Sequence, residues 1–122
     1  MKVHFQANSF SKTLDDDKKK EKIINKMEGI YNKAIINGHI QFANGFDIDI
    51  ERTKAHRQEM INYSGKSDGV KLFFTNGSSV LIRKSGTEPK VRGYVEAYGE
   101  NDNEALENMN KLSNILLNNI MQ

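Results

Sequence analysis

Residues 69–98 read GVKLFFTNGSSVLIRKSGTEPKVRGYVEAY, and the alternation of apolar and polar side chains along them predicts three β-strands. We place the strands at 69–75, 79–83 and 91–98. The dipeptide Asn76-Gly77 between the first two strands is the strongest short signal for a tight hairpin turn. The sequence therefore predicts an antiparallel meander with one apolar face, which needs helices to cover it.

The segment that joins the second and third strands is rich in groups that bind anions. It reads Arg83-Lys84-Ser85-Gly86-Thr87-Glu88-Pro89-Lys90-Val91-Arg92, with four basic residues against one acidic residue. Ser85 and Thr87 add hydroxyl donors, and Gly86 permits a turn in which backbone N–H groups converge. This composition predicts a phosphate-binding loop, with a charged and solvated β-turn as the alternative.

The period of two along a strand also fixes where the two arginines lie. Arg83 shares a face with Lys71, Phe73 and Leu81, and Arg92 shares the same face of the next strand with Tyr94. We therefore expect one guanidinium at each end of the loop, on one side of the sheet. Guanidinium groups bind phosphate oxygens in bidentate fashion, so this placement suits a phosphate ligand.

The order of residues in the loop resembles the C-terminal-domain signature of the α-D-phosphohexomutases, the phosphoglucomutase and phosphomannomutase enzymes. The resemblance rests on Arg83-x-Ser85-Gly86-Thr87-Glu88-Pro89-Lys90-x-Arg92 followed by Tyr94-Val95-Glu96-Ala97, and it extends over residues 68–120. It implies a TATA-binding-protein-like fold. It also implies that the distal phosphate of a hexose phosphate is bound by Arg83, Ser85, Gly86, Thr87, Lys90 and Arg92.

The resemblance further implies what this chain lacks. Family members move phosphate between C1 and C6 of a hexose, through a phosphoserine and a bisphosphorylated sugar. The nucleophile, the Mg²⁺ site and the sugar-recognition loop would lie in other domains in cis, and the full-length enzyme would use Mg²⁺ and a hexose bisphosphate activator. We therefore expect no catalytic residue, no metal and no cofactor in this chain. We also expect no mutase activity from these residues alone. Lys84 replaces a frequent Pro, and Glu88 is expected to turn away and pair either with Lys90 or with another domain.

The rest of the chain predicts two amphipathic helices. Thr13 is the expected N-cap of a helix with Asp15, Asp16 and Asp17 in its first turn, which ends at Asn37-Gly38. A second helix is expected from Asn101-Asp102, with an apolar stripe formed by Ala105, Leu106, Met109, Leu112, Leu116 and Ile120.

The remaining segments are predicted as a strand, a loop and a terminal extension. Alternation over 46–51 predicts a half-buried strand, and 53–67 is expected to be a loop with at most one helical turn near 56–61. We assign residues 1–14 to an extended linker or short edge strand and 15–122 to the phosphate-binding domain. The predicted fold class is α+β: two layers, with two helices on one face of a mostly antiparallel sheet.

Composition limits the remaining functions. The 122 residues carry a net charge of +2 and no Cys, which suits one domain without disulfides and does not by itself indicate nucleic acid. His4, His39 and His56 lack metal-ligand spacing, and isoleucines separate Asp47, Asp49 and Glu51, as in a strand rather than a metal loop. No long apolar run or leader is present, so we expect a cytoplasmic monomer with no membrane contact.

Two alternative functions stay open at this point. Phe73, Tyr94 and Tyr98 on one sheet face could stack the bases of single-stranded nucleic acid, although Val95-Glu96-Ala97 breaks the RNA-recognition pattern that Arg92-Gly93-Tyr94 begins. The other alternative is a non-catalytic relative that keeps only the fold.

Overall fold

The computed structural model describes residues 4–14, 16–38, 40–64, 69–84 and 88–122. Three α-helices and six strands occupy these ranges, and one π-helical turn, Leu116–Ile120, follows the last helix. The elements in chain order are β1 (His4–Thr13), α1 (Asp17–Asn37), β2 (Gln41–Ala43), β3 (Phe46–Asp47), α2 (Ile50–Ser64), β4 (Gly69–Phe73), β5 (Ser79–Lys84), β6 (Lys90–Gly99) and α3 (Asp102–Ile115).

Four strands form an antiparallel sheet in the order β1-β6-β5-β4. The predicted hairpin between β4 and β5 is confirmed. Its turn contains Gly77 at φ 92°, a conformation that side chains oppose, and Ser78 N donates to Asn76 Oδ1 at 3.0 Å. The short strands β2 and β3 form a separate ribbon, which a single bridge between Ile48 and Phe74 joins to the end of β4.

Helices α1 and α3 pack against one face of this sheet and enclose the core. Both helices and the sheet contribute completely buried side chains to the core: Met27 of α1, Leu72 and Val80 of the sheet, and Leu112 of α3. Removing this much apolar surface from water is the main term that holds such a domain together. The predicted α+β class is thus confirmed, and the structure adds a third helix.

The start of α1 differs from the prediction. Thr13 is the last residue of β1 and pairs with Lys90, so it is not the helix cap. Asp16 holds that position, and its carboxylate accepts the N–H of Lys19 at 2.9 Å. The helix ends as expected, with Gly38 at φ 74° donating to Ala34 O at 3.0 Å. Asp15 lies outside the described residues.

The N-terminal segment, for which the sequence allowed a linker or an edge strand, forms an edge strand. Residues 4–13 are β1, and all ten of them pair with β6 at the edge of the sheet. Residues 1–3 lie outside the described ranges.

The predictions for residues 46–67 were wrong in large part. Phe46 and Ile48 are buried as the alternation requires, but the strand stops at Asp47 and α2 begins at Ile50. Asp49 ends the extended stretch because its carboxylate accepts the N–H of Arg52 at 3.1 Å, which caps the helix. The predicted loop is therefore mostly the 15-residue helix α2, and residues 65–68 lie outside the described part of the chain.

The apolar stripe of α3 also needs one correction. Ala105, Leu112 and Leu116 are buried, as predicted, whereas Leu106 is 44% exposed. Ser113 is buried instead, and its hydroxyl accepts a hydrogen bond from Asn8 Nδ2 of β1 at 3.3 Å.

Candidate functional site

Arg83 and Arg92 form the centre of the candidate site. They are direct register partners on β5 and β6, and both side chains are exposed on the sheet face opposite the core, which we call the open face. Directly opposed residues of antiparallel strands have Cα atoms about 4.5–5.5 Å apart, so the two guanidinium groups can reach one small anion. The prediction that they share a face is confirmed.

Both guanidinium groups keep their donors available. Within the described part of the chain, neither Arg83 nor Arg92 makes an ion pair or a side-chain hydrogen bond. With respect to the residues that the structure describes, the two adjacent guanidinium groups are not neutralised and together present up to ten N–H donors in a fork geometry that suits phosphate. This arrangement favours an anion as the ligand of the open face.

The lysines of the segment are engaged elsewhere. Lys84 Nζ contacts Glu21 Oε1 of α1 at 3.0 Å, which ties the end of β5 to the helix layer. Lys90 Nζ contacts Glu88 Oε2 at 3.1 Å, as expected from the sequence. Glu88 therefore directs its charge to Lys90, and the positive charge left for a ligand comes mainly from the two arginines.

The described limb of the loop is held by a bond within itself, by Leu14 between β1 and α1, and by Lys20 of α1. Leu14 N donates to Pro89 O at 2.7 Å, and Lys90 N donates to Glu88 O at 2.8 Å. The buried Lys20 adds a third contact, from its Nζ to Glu88 O at 3.4 Å. Ser85, Gly86 and Thr87, which the sequence also predicts to bind phosphate, lie outside the described residues.

A polar groove of about 290 Å³ adjoins Arg92 on the open face. It is lined by Ser9, Phe10, Ser11, Arg92 and Tyr94. The groove was not predicted from the sequence, because the N-terminal segment was assigned either to a linker or to an edge strand. The weak alternation over 3–8 was a signal of a strand, but it could not show that the partner is β6.

A larger cavity of about 400 Å³ lies between the end of β1 and α1. Lys12, Lys19 and Lys22 surround an apolar floor of Leu14 and Ile23. Lys12 Nζ already donates to Met121 O at 2.5 Å. Among the described residues that line this cavity, none belongs to the loop of residues 83–92, so the cavity is treated separately from the candidate site.

The ring of Phe73 is enclosed by cations at the β4 edge. Arg52 lies 4.3 Å and Lys71 Nζ 4.9 Å from the ring centroid, and the His56 ring lies 5.4 Å away. Burial, and secondarily the positive charge of Lys71, lower the pKa of His56 below 6.5, while Glu59 opposes the shift. Phe73 is only 7% exposed, so it cannot serve as a base-stacking surface.

Magnesium does not fit the described residues. None of the described ranges holds a group of three or more His, Asp or Glu side chains placed for a metal ion. The carboxylate of Asp49 caps α2 by accepting the N–H of Arg52, and His4 Nδ1 contacts Asp102 Oδ1 at 2.7 Å. His39 lies outside the described residues. We therefore assign no metal-dependent step to the described residues of this chain. None of the helices in the described ranges is both long and apolar enough to cross a membrane.

The fold is a helix-backed antiparallel domain, and the arginine pair is exposed on its open face. Residues 13–112 match the family described as phosphoglucomutase/phosphomannomutase, C-terminal domain. The match covers most of the chain, so the chain belongs to this family, and the resemblance seen in the sequence is confirmed. A probable phosphoglucosamine mutase of Methanosphaera stadtmanae (strain ATCC 43021) is 48% identical over 54 residues, which are 44% of this chain and 11% of that protein.

Proposed function

We propose that this chain binds the phosphate group of a hexose phosphate on behalf of a phosphohexomutase, an isomerase that transfers phosphate within the sugar. The ligands would be Arg83, Ser85, Gly86, Thr87, Lys90 and Arg92. The observation that carries the proposal is the cross-strand partnership of Arg83 with Arg92, both exposed and neither ion-paired to any residue that the structure describes. Membership in the phosphoglucomutase/phosphomannomutase family supports it.

The chemical role of such a site is positioning. Two guanidinium groups hold the phosphate that does not react, and this contact orients the sugar relative to groups that act on its other end. Binding energy from a remote phosphate can also offset the cost of ordering the substrate at the reacting centre. No residue of this chain is assigned to bond making or bond breaking.

The whole enzyme would supply the remaining parts. The chain spans about a tenth of the length of the curated relative it matches, so the other domains, acting in cis, would carry the reactive serine, Mg²⁺ and the site of a hexose bisphosphate activator. The name of that relative makes an amino sugar phosphate one candidate substrate among the hexose phosphates. On this proposal the isolated chain binds sugar phosphates but does not isomerise them.

The proposal is tested by following backbone amide shifts of the ¹⁵N-labelled chain during titration with glucose 6-phosphate and, separately, with glucose. We expect the amides around Arg83 and Arg92 to move only with the phosphorylated sugar. Affinity should be weak, because a millimolar dissociation constant corresponds to only about −4 kcal/mol. A charge-assisted hydrogen bond contributes roughly 1.5–3 kcal/mol, so Arg83→Ala or Arg92→Ala should abolish detectable binding.

Lys18→Ala is the control, because Lys18 is exposed on α1 and far in sequence from the loop. It should leave the titration unchanged. Equal responses of the two arginine variants and the wild-type chain would contradict the proposal. Shifts at Tyr94 and Tyr98 with a short oligonucleotide, without shifts from glucose 6-phosphate, would instead favour a nucleic-acid-binding sheet.

A further inference from the structure

We propose that Lys20 of α1 is a positioning residue for the phosphate loop. The inference deepens the proposed function and rests on it, because it takes the loop to be the site where the sugar phosphate binds. Lys20 lies outside the loop, 68 positions before Glu88 in the sequence. Its role is to hold, before any ligand arrives, the limb through which the loop enters β6.

The burial of Lys20 has no explanation in helix formation alone. Lysine is almost never buried unless its ammonium group is paired, yet Lys20 is only 8% exposed, whereas its neighbours Lys18 and Lys19 are exposed. Lys20 also lies near the N-terminal end of α1, where the helix dipole favours anions over cations. The contacts of its ammonium group supply the reason for its place in the fold.

The ammonium group of Lys20 has a partner on its own helix and another on the loop. Nζ lies 3.4 Å from Asp17 Oδ1 and 3.4 Å from the main-chain oxygen of Glu88. Asp17 is largely exposed, so water screens that ion pair. The contact with Glu88 is long for a hydrogen bond, but the attraction between a charge and a carbonyl dipole is stronger where burial limits water.

The carbonyl group that Lys20 contacts belongs to the peptide bond before Pro89. It also accepts the N–H of Lys90 at 2.8 Å, so both of its lone pairs are engaged. The φ angle of Pro89 is restricted by its ring, and Leu14 N donates to the oxygen of Pro89 at 2.7 Å. Lys20 thus completes a set of contacts that fix the direction in which the chain runs from the loop toward Arg92 on β6.

The next residue of α1 contacts the other end of the loop. Glu21 Oε1 lies 3.0 Å from Lys84 Nζ at the end of β5, so adjacent residues of one helix contact both described ends of the loop. Both side chains of that ion pair are partly exposed to water, and such surface pairs contribute little. The positioning role therefore belongs to Lys20, and Glu21 serves as a control.

A limb that is already held lets a ligand bind without the cost of ordering it. Binding loses free energy for every segment that becomes immobile, so prior ordering raises affinity without a new contact to the ligand. Lys20 makes its contact through the main chain and not through a group of the sugar. Lys20→Met should therefore weaken inorganic phosphate and glucose 6-phosphate by the same factor, about threefold to tenfold.

Two measurements on the ¹⁵N-labelled chain test the role. The first needs no ligand: hydrogen exchange of the Lys90 amide, which donates to Glu88 O, should be faster in Lys20→Met. The second is the amide-shift titration with inorganic phosphate and with glucose 6-phosphate. Lys20→Arg keeps the charge and the donors, so it should restore both results. Lys20→Gln, which removes the charge and keeps a polar group, replaces Lys20→Met if that variant does not fold.

The matched controls are Lys18→Met and Glu21→Gln. Lys18 is an exposed lysine two positions away on the same helix, and Glu21 is the residue that contacts Lys84. Both variants should leave the exchange of the Lys90 amide and the affinity for phosphate unchanged. Urea unfolding of every variant separates a loss of global stability from a local effect on the limb.

The outcomes distinguish the positioning role from the proposed function. Faster exchange together with weaker phosphate binding in Lys20→Met, both restored by Lys20→Arg, supports the role of Lys20. A lower free energy of unfolding with unchanged affinity would mean that Lys20 only stabilises the fold, and would overturn the inference while the phosphate site stands. Absence of binding of both ligands by the wild-type chain would overturn the proposed function and, with it, the positioning role.

Discussion

Gly93 lies opposite Phe10 in the register of β1 and β6, and the phenyl ring occupies the space where a side chain at 93 would be. A Cβ built on Gly93 would come within 2.4 Å of Phe10 Cε2. An aromatic side chain beside a strand glycine covers the backbone that the glycine leaves bare. This pair therefore keeps β1 flush against the strand that carries Arg92.

We predict that Gly93→Ala destabilises the chain by about 1–3 kcal/mol, the usual cost of overpacking. The free energy of unfolding, measured with urea, gives the comparison. Gly29→Ala is the control, because a Cβ at Gly29 of α1 meets nothing within 4 Å. That change should be neutral or stabilising by about 0.5–1 kcal/mol. Equal stability of Gly93→Ala and the wild-type chain would show that Phe10 moves aside without cost.

His56 is the residue that should give the chain a pH dependence. Because its pKa in the folded chain lies below 6.5, the folded state binds fewer protons than the unfolded state near that pH. Its contribution to stability is therefore present above pH 6.5 and is lost as the pH falls through the lowered pKa. We predict a ring-proton titration with a midpoint below 6.5, and a weaker fall of unfolding free energy with acid in His56→Gln.

Lys71→Gln tests the cause of that shift. It should raise the pKa of His56 only in part, because burial is the larger cause and Lys71 the second. A full return to 6.5 would show that charge, and not burial, dominates. A midpoint at or above 6.5 in the wild-type chain would contradict the assignment altogether.

At the scale of elements, α2 protects the free edge of the sheet. β4 is an edge strand, and exposed edges invite pairing with other chains. The hydroxyl of Thr53 accepts the N–H of Phe73 at 3.0 Å, and Asp49 N donates to Phe73 O at 2.7 Å. The start of α2 thus takes the hydrogen bonds that a further strand would take.

We predict that Thr53→Val, which keeps the shape and removes the hydroxyl, costs about 1–3 kcal/mol because it leaves the buried N–H of Phe73 unpaired. Thr53→Ser keeps the acceptor and should recover most of this loss. Urea unfolding gives the free energies, and hydrogen exchange of the Phe73 amide reports the edge itself. Unchanged exchange in Thr53→Val would mean that the edge is protected by other contacts.

The same elements show how far the sequence predicts the fold. The meander of β4, β5 and β6 follows from alternation and from Asn76-Gly77, since both signals are local. The helix α2 was missed because, among the α2 side chains whose burial is described, the buried one is Thr53, a polar residue, so no apolar period marks the helix. Its start had only a weak signal: Asp49 is a residue type that caps helices, but position 52 lacks the Glu or Gln of a capping box, and the alternation over 46–51 favoured a strand.

The sequence likewise predicted the placement of some residues of the candidate site and missed that of others. Alternation alone put Arg83 and Arg92 on one face, because both strands adjoin the loop. The positions of Ser9 and Ser11 depend on the pairing of β1 with β6. These strands are distant in sequence: the partners Ser9 and Tyr94 are more than eighty residues apart. Alternation says which face a side chain takes, but not which strand lies beside it.

At the scale of the whole molecule, the segment of β1 and Leu14 makes contacts beyond its pairing with β6. Asn8 reaches Ser113 of α3, Lys12 reaches Met121 O, and Leu14 joins the core. We predict one cooperative unfolding transition for the full chain by circular dichroism. Deleting residues 1–12 should lower its midpoint sharply or abolish it, since the deletion exposes one edge of β6. An unchanged transition would show that the segment is only a linker.

The direct pairing of Arg83 with Arg92 has a consequence for how this protein responds to its solution. Like charges on directly opposed strand positions repel each other, so the folded chain carries a repulsion that unfolding relieves. An anion held between the two groups cancels that repulsion and, by mass action, stabilises only the folded state. The unfolding temperature should then depend on the buffer anion, and values obtained in phosphate or sulfate would not be interchangeable with values obtained in a zwitterionic buffer.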